Sequence, residues 1–179
     1  MKAFRTMAVA AAVSTLAAVL QAQAAELVQA KIARGKTAAP PAIAAGATFI
    51  DISDTTGKVT VLKKGSNAFT CFVGHPGVVG DDPFCSDPAG MQWVGSWAAH
   101  KKQPANTKPG IIYMLAGGTD WSASNPWATK GTPIHEPPHW MVMWPVTAAS
   151  GLATTPKNSG TWIMWAGTPY AHLMVNQKP

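Results

Sequence analysis

Cysteine is nearly absent from this chain of 179 residues, basic residues never cluster, and no long apolar run follows the first twenty positions. Each scarcity excludes something. The two cysteines, Cys71 and Cys85, lack the close Cys-x-x-Cys spacing of a redox pair. In an exported protein the default for two cysteines is a single disulfide. Closing so short a loop stabilises the fold by about 3 kcal/mol if strain is low. The net charge is +6, and Lys2 and Arg5 supply two of those charges, leaving +4 downstream. Lys63-Lys64 and Lys101-Lys102 are only pairs, so there is no basic stripe for nucleic acid. No segment after the N-terminal run is apolar enough for a transmembrane helix. A serine nucleophile elbow, a Gly-rich phosphate loop and a dinucleotide fingerprint are also missing.

What is present begins with an export signal. Lys2 and Arg5 precede an apolar run from Met7 to Leu20, and Ala22-Gln23-Ala24 supplies a small-x-small cleavage pattern. Residues 1–24 are therefore expected to be a signal peptide, and the mature protein to be periplasmic or secreted. The remainder suits a single domain. An alanine-rich arm spans 25–45, its first part a short helix ended by Pro40-Pro41 and loosely docked; the globular domain spans 46–179.

The stretch from His135 to Trp144 organises the rest. His135-Glu136-Pro137-Pro138-His139 spells the His-Glu-x-x-His letters of a zinc protease. In such an enzyme the motif lies on a continuous helix, one turn between the histidines. Here prolines fill both middle positions, and each biases the residue before it toward extended backbone. The stretch reads instead as a central strand. His139, Met141 and Met143 share one face, Trp140, Val142 and Trp144 the other, both apolar enough to be covered, and Pro145 ends it.

The fold expected is α+β, a single domain of mostly antiparallel sheet, because short turns join the strands. Ala47–Ile52 and Val59–Lys63 form a hairpin around Asp54-Thr55-Thr56-Gly57, and Ala68–Val73 is a third strand. Gly74–Pro83, with His75, Asp81 and Asp82, reads as a solvated loop. Asp87-Pro88 starts the principal helix, about 88–100, with Asp87 as N-cap and proline in the first turn. Its apolar stripe is read as Met91, Val94 and Ala98, with Trp93 and Trp97 beside it. Further strands are read at 110–115, 161–165 and 171–175, with a polar loop over 119–130.

The last strand echoes the focal one. His172 and Met174 repeat the spacing of His139 and Met141, and Gly-Thr-Pro precedes both strands. Neighbouring strands of this kind would bring His139 and His172 together. His139, His172, Met141 and Met174 are therefore candidate metal ligands, suited to copper, or to zinc with Glu136 or Asp120 added. Without metal, His139, His172, Glu136 and Asp120 are the acid–base candidates. All eight tryptophans lie between Trp93 and Trp165. They suit a large aromatic core, while Trp121 and Trp127 in their polar loop, with Tyr170, are the candidate ligand platform.

Thr70-Cys71, Asp82-Pro83-Phe84-Cys85-Ser86-Asp87, Pro109 to Leu115, Pro138-His139-Trp140-Met141 and Gly167 to Met174 carry a likeness that extends over most of the mature chain. Together they resemble an uncharacterised family of small exported bacterial proteins. The resemblance implies export and a single domain, and brings no activity, cofactor or partner with it.

Three functions are compatible with these letters. The first is a periplasmic small-ligand or transition-metal binding or accessory protein with a His/Met/Trp-lined pocket. The second is a small secreted hydrolase or lyase using His139 and His172 with Glu136 or Asp120. The third is a structural envelope protein with no site.

Overall fold

The computed structural model describes residues 3–177, with side chains described for 20–147 and 149–177. An α-helix, α1, runs from Ala3 to Lys36 and is followed by the short α2, Pro41–Gly46. It takes in the expected signal segment from residue 3 onward, residues 1 and 2 lying outside the described part. No helix among the described residues is long and apolar enough to cross a membrane.

The strands are β1 (Thr48–Ile52), β2 (Val59–Lys63), β3 (Thr70–Phe72), β4 (Phe84–Ser86), β5 (Gly110–Met114), β6 (Gly118–Asp120), β7 (Ile134–Glu136), β8 (His139–Met143), β9 (Ser159–Met164) and β10 (His172–Gln177). Eight form one sheet in the order β2-β1-β3-β4-β5-β8-β10-β9, and β6 pairs with β7 separately. Every pairing is antiparallel except β1 with β3. With the principal helix α3, Pro88–Ala98, this is the α+β architecture expected.

Local chemistry explains the ends of α3. Asp87 is extended, and its carboxylate accepts a 2.7 Å hydrogen bond from the Gly90 amide, with Pro88 next in line. At the other end His100 takes a left-handed φ of 51°, and the Lys101 amide turns back to the Ser96 carbonyl. The buried face of α3 is Ala89, Gly90, Trp93 and Ser96, whereas Ala98 is exposed. The stripe read from sequence was rotated, because small residues mark the buried side here. A Cβ on Gly110 would lie 2.2 Å from the Gly90 amide nitrogen, so helix and strand touch backbone to backbone.

The helices cover opposite faces of different halves of the sheet. α1 and the turn after it pack Ile32, Ala38 and Ala39 onto Phe49, Cys71, Val73 and Cys85. Cys71 and Cys85 face each other across β3 and β4 and form the disulfide. The arm is docked, not loose. Gly35 presses on Phe49, Arg34 donates to the carbonyls of Val73 and Gly74, and Lys31 pairs with Asp51. His75 bridges Asp51 and Asp81, so the 74–83 loop is tied to the arm through a half-buried ion-pair chain.

α3 lies over the other half, packed on β5 with further contacts to β4 and β8, and its Trp93 reaches His172 of β10. Trp93 there joins Ile112, Met141, Met143, Trp162, Met164, Trp165, Tyr170 and Met174 in the second core. On the reverse side of this half, Trp140, Val142, Leu173 and Val175 are only half-buried. The expectation that both faces of β8 are covered thus holds for its His/Met face alone.

Candidate functional site

β8 is extended, as the prolines require, and His139, Met141 and Met143 are its buried residues. The zinc-protease reading is excluded by the same geometry. His135 is exposed on β7, whereas Glu136 and His139 point into the protein. Strand alternation sends neighbours to opposite sides, so the two motif histidines never meet.

The register lays out the face beneath α3. Residues directly opposite in antiparallel strands project to the same side. Met114 therefore sits beside His139, Ile112 beside Met141, Met141 beside Met174, and Met174 beside Trp162. At the far end His172 sits beside Met164, and continuing the β8/β10 register by one residue sets Met143 on its other side. Met114, Met141, Met143, Met164 and Met174 thus share one sheet face with two histidines.

Between this floor and α3 lies a cavity of about 110 Å³. Trp93, Val94 and Trp97 come down from the helix, and Trp165 closes one side. Its lining is apolar at this end. At the other end Asp120 and Glu136 reach it from β6 and β7, and Gly80 and Thr119 border it. Asp82 stands behind them, accepting from the Thr119 amide at 2.6 Å and from its hydroxyl at 2.8 Å.

Burial pushes the Glu136 carboxyl up to about 8, and the charges of Asp120 and Asp82 push the same way. At neutral pH Glu136 is therefore a neutral acid. Asp120 is pushed up to about 6, first by burial and then by Asp82, against the pull of the Ser122 and Trp121 amides. His139 is fully buried, and burial lowers its basicity. Its Nδ1 lies 2.8 Å from the Pro137 carbonyl, which can only accept, so Nδ1 carries the proton and Nε2 presents a lone pair. That Nε2 lies 3.4 Å from Glu136 Oε2, yet no hydrogen bond joins them. His139 Nε2 and Glu136 Oε1 are buried atoms with no hydrogen-bond partner. Such orphans are rare in native interiors and ask for an explanation.

His172 is built in the same way and set differently. Its Nδ1 lies 2.9 Å from the Tyr170 carbonyl, again fixing the proton there. Burial, with the charge of His139 a smaller cause, lowers it to about 4. Trp93 and Trp165 stand nearly perpendicular to its ring, with centroids at 5.2 and 5.1 Å.

The structure thus brings Glu136, His139 and Asp120 to one end of a cavity and His172 to the other. His139 pairs with Asn176, and His172 lies four positions before it in β10. Four strand steps span about 13 Å, so the ladder offsets the backbones of the two histidines along the face, while both imidazoles line the same cavity. Met141 and Met174 sit between them. Among the described residues no group of three or more His, Cys, Asp or Glu side chains is placed to hold one ion. The zinc version, two histidines with Glu136 or Asp120, is therefore not gathered around one point, while Met141 and Met174 stand on the same face between the two imidazoles.

The candidate platform is corrected too. Tyr170 is fully buried, donating its hydroxyl to the Lys101 carbonyl, and offers no face to a ligand. Trp121 and Trp127 are half-buried where exposure was expected. Trp127 donates to the Trp97 carbonyl and stacks on His100, so it belongs to the wall around α3. The residues missed by sequence reasoning are Asp82, Thr119 and Met164. Asp82 had carried one signal, its place in a cysteine-stapled acidic loop. No known protein family matches the chain, and neither curated proteins nor solved structures gave a match.

Proposed function

We propose that this is an exported binding protein for a small, largely apolar, uncharged molecule carrying a hydroxyl or amide group. The N-terminal segment and the disulfide support the exported part of this reading. The observation that carries the ligand part is the pair of unpartnered atoms, His139 Nε2 and Glu136 Oε1, at the polar end of a cavity whose remaining lining is mostly apolar. A neutral imidazole offers an acceptor, and a protonated carboxyl offers both a donor and an acceptor. A hydroxyl or amide satisfies both. A ligand carboxylate would meet Asp82 and Asp120 and be repelled. The cavity is half-open and, at about 110 Å³, smaller than the ~150 Å³ apolar cavity that takes benzene, so a ring-sized ligand would sit partly in its mouth.

The test uses phenol, cyclohexanol and butyramide, with benzoate as the anionic comparison, followed through the fluorescence of the cavity tryptophans. One or more of the neutral probes is expected to bind and raise the melting temperature, and Glu136→Leu to abolish the effect. Binding of benzoate alone, or of none of the probes, removes the reading.

A second reading, hydrolase or lyase chemistry, is favoured by the pairing of a carboxyl held protonated with an imidazole held neutral. Such a pair supplies an acid and a base near neutral pH. A hydrolytic substrate panel on wild type and His139→Ala decides it: equal turnover by both proteins dismisses the role.

A further inference from the structure

We propose that His172, Met143 and Met164 form a binding site for a soft monovalent metal ion, Cu(I) or its redox-inert analogue Ag(I), at the indole end of the cavity. The site rests on residues other than Glu136 and His139, and so stands or falls separately from the ligand reading.

The three side chains lie side by side across adjacent strands. His172 is opposite Met164 in the β9/β10 ladder, and the β8/β10 register puts Met143 on its other flank. Directly opposed residues have Cβ atoms about 5 Å apart, and methionine has three rotatable bonds with which to turn its sulfur inward. All three residues line the cavity, and all three are buried. The imidazole is already in ligand form: the Tyr170 carbonyl holds Nδ1–H, which leaves the lone pair on Nε2. A backbone carbonyl fixing the second nitrogen is the usual way a metal-binding histidine is oriented.

The donor set selects the ion. Two thioethers and one imidazole are soft, and suit Cu(I) above any hard cation. The carboxylates that a hard or borderline ion would want stand at the opposite end, around His139. Trp93 and Trp165 flank the imidazole and line the same space, where their ring faces can attract a bound cation.

The test is titration of the purified full chain with Ag(I), read by native mass spectrometry and by NMR of ¹³C-methyl methionine. One equivalent is expected to bind and to shift the methyls of Met143 and Met164. The double variant Met143→Leu/Met164→Leu keeps the volume and the fold. It is expected to weaken binding by at least ~100-fold, since even outer-shell partners of metal ligands are worth about 10–100-fold. Met91→Leu, on α3 outside the cavity lining, is expected to bind as wild type. The methyl shifts report on the unmodified protein, so the assignment survives any variant that folds poorly. Absence of one-equivalent binding, shifts confined to other methionines, or undiminished affinity in the double variant overturns the proposal.

Discussion

His139 and His172 are built alike and live differently. Each opens a strand, each is buried, and each donates Nδ1–H to the carbonyl two residues earlier. At His139 the free nitrogen faces a carboxyl and remains unsatisfied. At His172 the neighbours are thioethers and two indoles. One backbone device thus fixes the tautomer at both ends of a cavity, and the cross-strand neighbours decide what each lone pair can do. The elements feeding each end set the contrast: β6 and β7 bring acids to one, while β9 brings Met164 to the other and Trp165, just past the strand with a φ of 54°, turns in beside it.

Removing each imidazole in turn breaks the comparison most directly. His172→Ala empties a well-packed position and is expected to cost about 2–5 kcal/mol in denaturant unfolding, as other large buried deletions do. His139→Ala also removes an unpaired buried nitrogen, a group whose burial itself costs about 1–3 kcal/mol, so its net loss should be clearly smaller. Equal losses would erase the distinction between the two ends.

The next effect is on pH dependence. Glu136 rises from 4.5 to about 8 on folding, so between those values the folded chain holds a proton that the unfolded chain has released. Stability should therefore fall as pH rises through that window, by at most about 1.4 kcal/mol per pH unit from this group. Glu136→Gln is expected to flatten that limb. His172 falls from 6.5 to about 4, so its contribution is present above pH 6.5 and is lost as pH drops toward 4. Between pH 4.5 and 6.5 the two slopes oppose each other, so His172→Gln should make stability fall with rising pH across that range and leave the limb above 6.5 unchanged. Unfolding midpoints from pH 4 to 9 check both, and an unchanged profile in either variant refutes that assignment.

The smallest effect sharpens the contrast. Glu136→Leu/His139→Leu removes both orphaned atoms together, and replacing buried polar pairs by apolar groups is often neutral or stabilising by about 1–4 kcal/mol. A midpoint at or above wild type is expected. A large loss would mean that the pair already has partners in solution.

Much of this arrangement was legible in the letters. The prolines at 137 and 138 ruled out a helix, alternation then put His139, Met141 and Met143 on one face, and Asp87-Pro88 marked the start of α3. Those signals are local, and local rules decide them. The site needed more. β6 and β7 are three residues each, too short to show a period, so Asp120 reads as loop and Glu136 as an appendage of a false motif. Asp82 joins through a hydrogen bond to Thr119, 37 residues away, which no spacing announces. The pairing of His139 with His172 was inferred from a repeated pattern. Which face they share follows from that pattern, but the four-residue offset is set by ladder register, which only the assembled sheet fixes.

The contact of Gly90 with Gly110 carries one more consequence. Because main chain rests on main chain there, nothing compressible separates α3 from β5, and the helix has a hard stop at that point. A single added methyl at either glycine would act as a shim, tilting α3 about its capped end. The gap above the methionines is thus gauged by two missing carbon atoms, and a bound guest must be sized to that gauge.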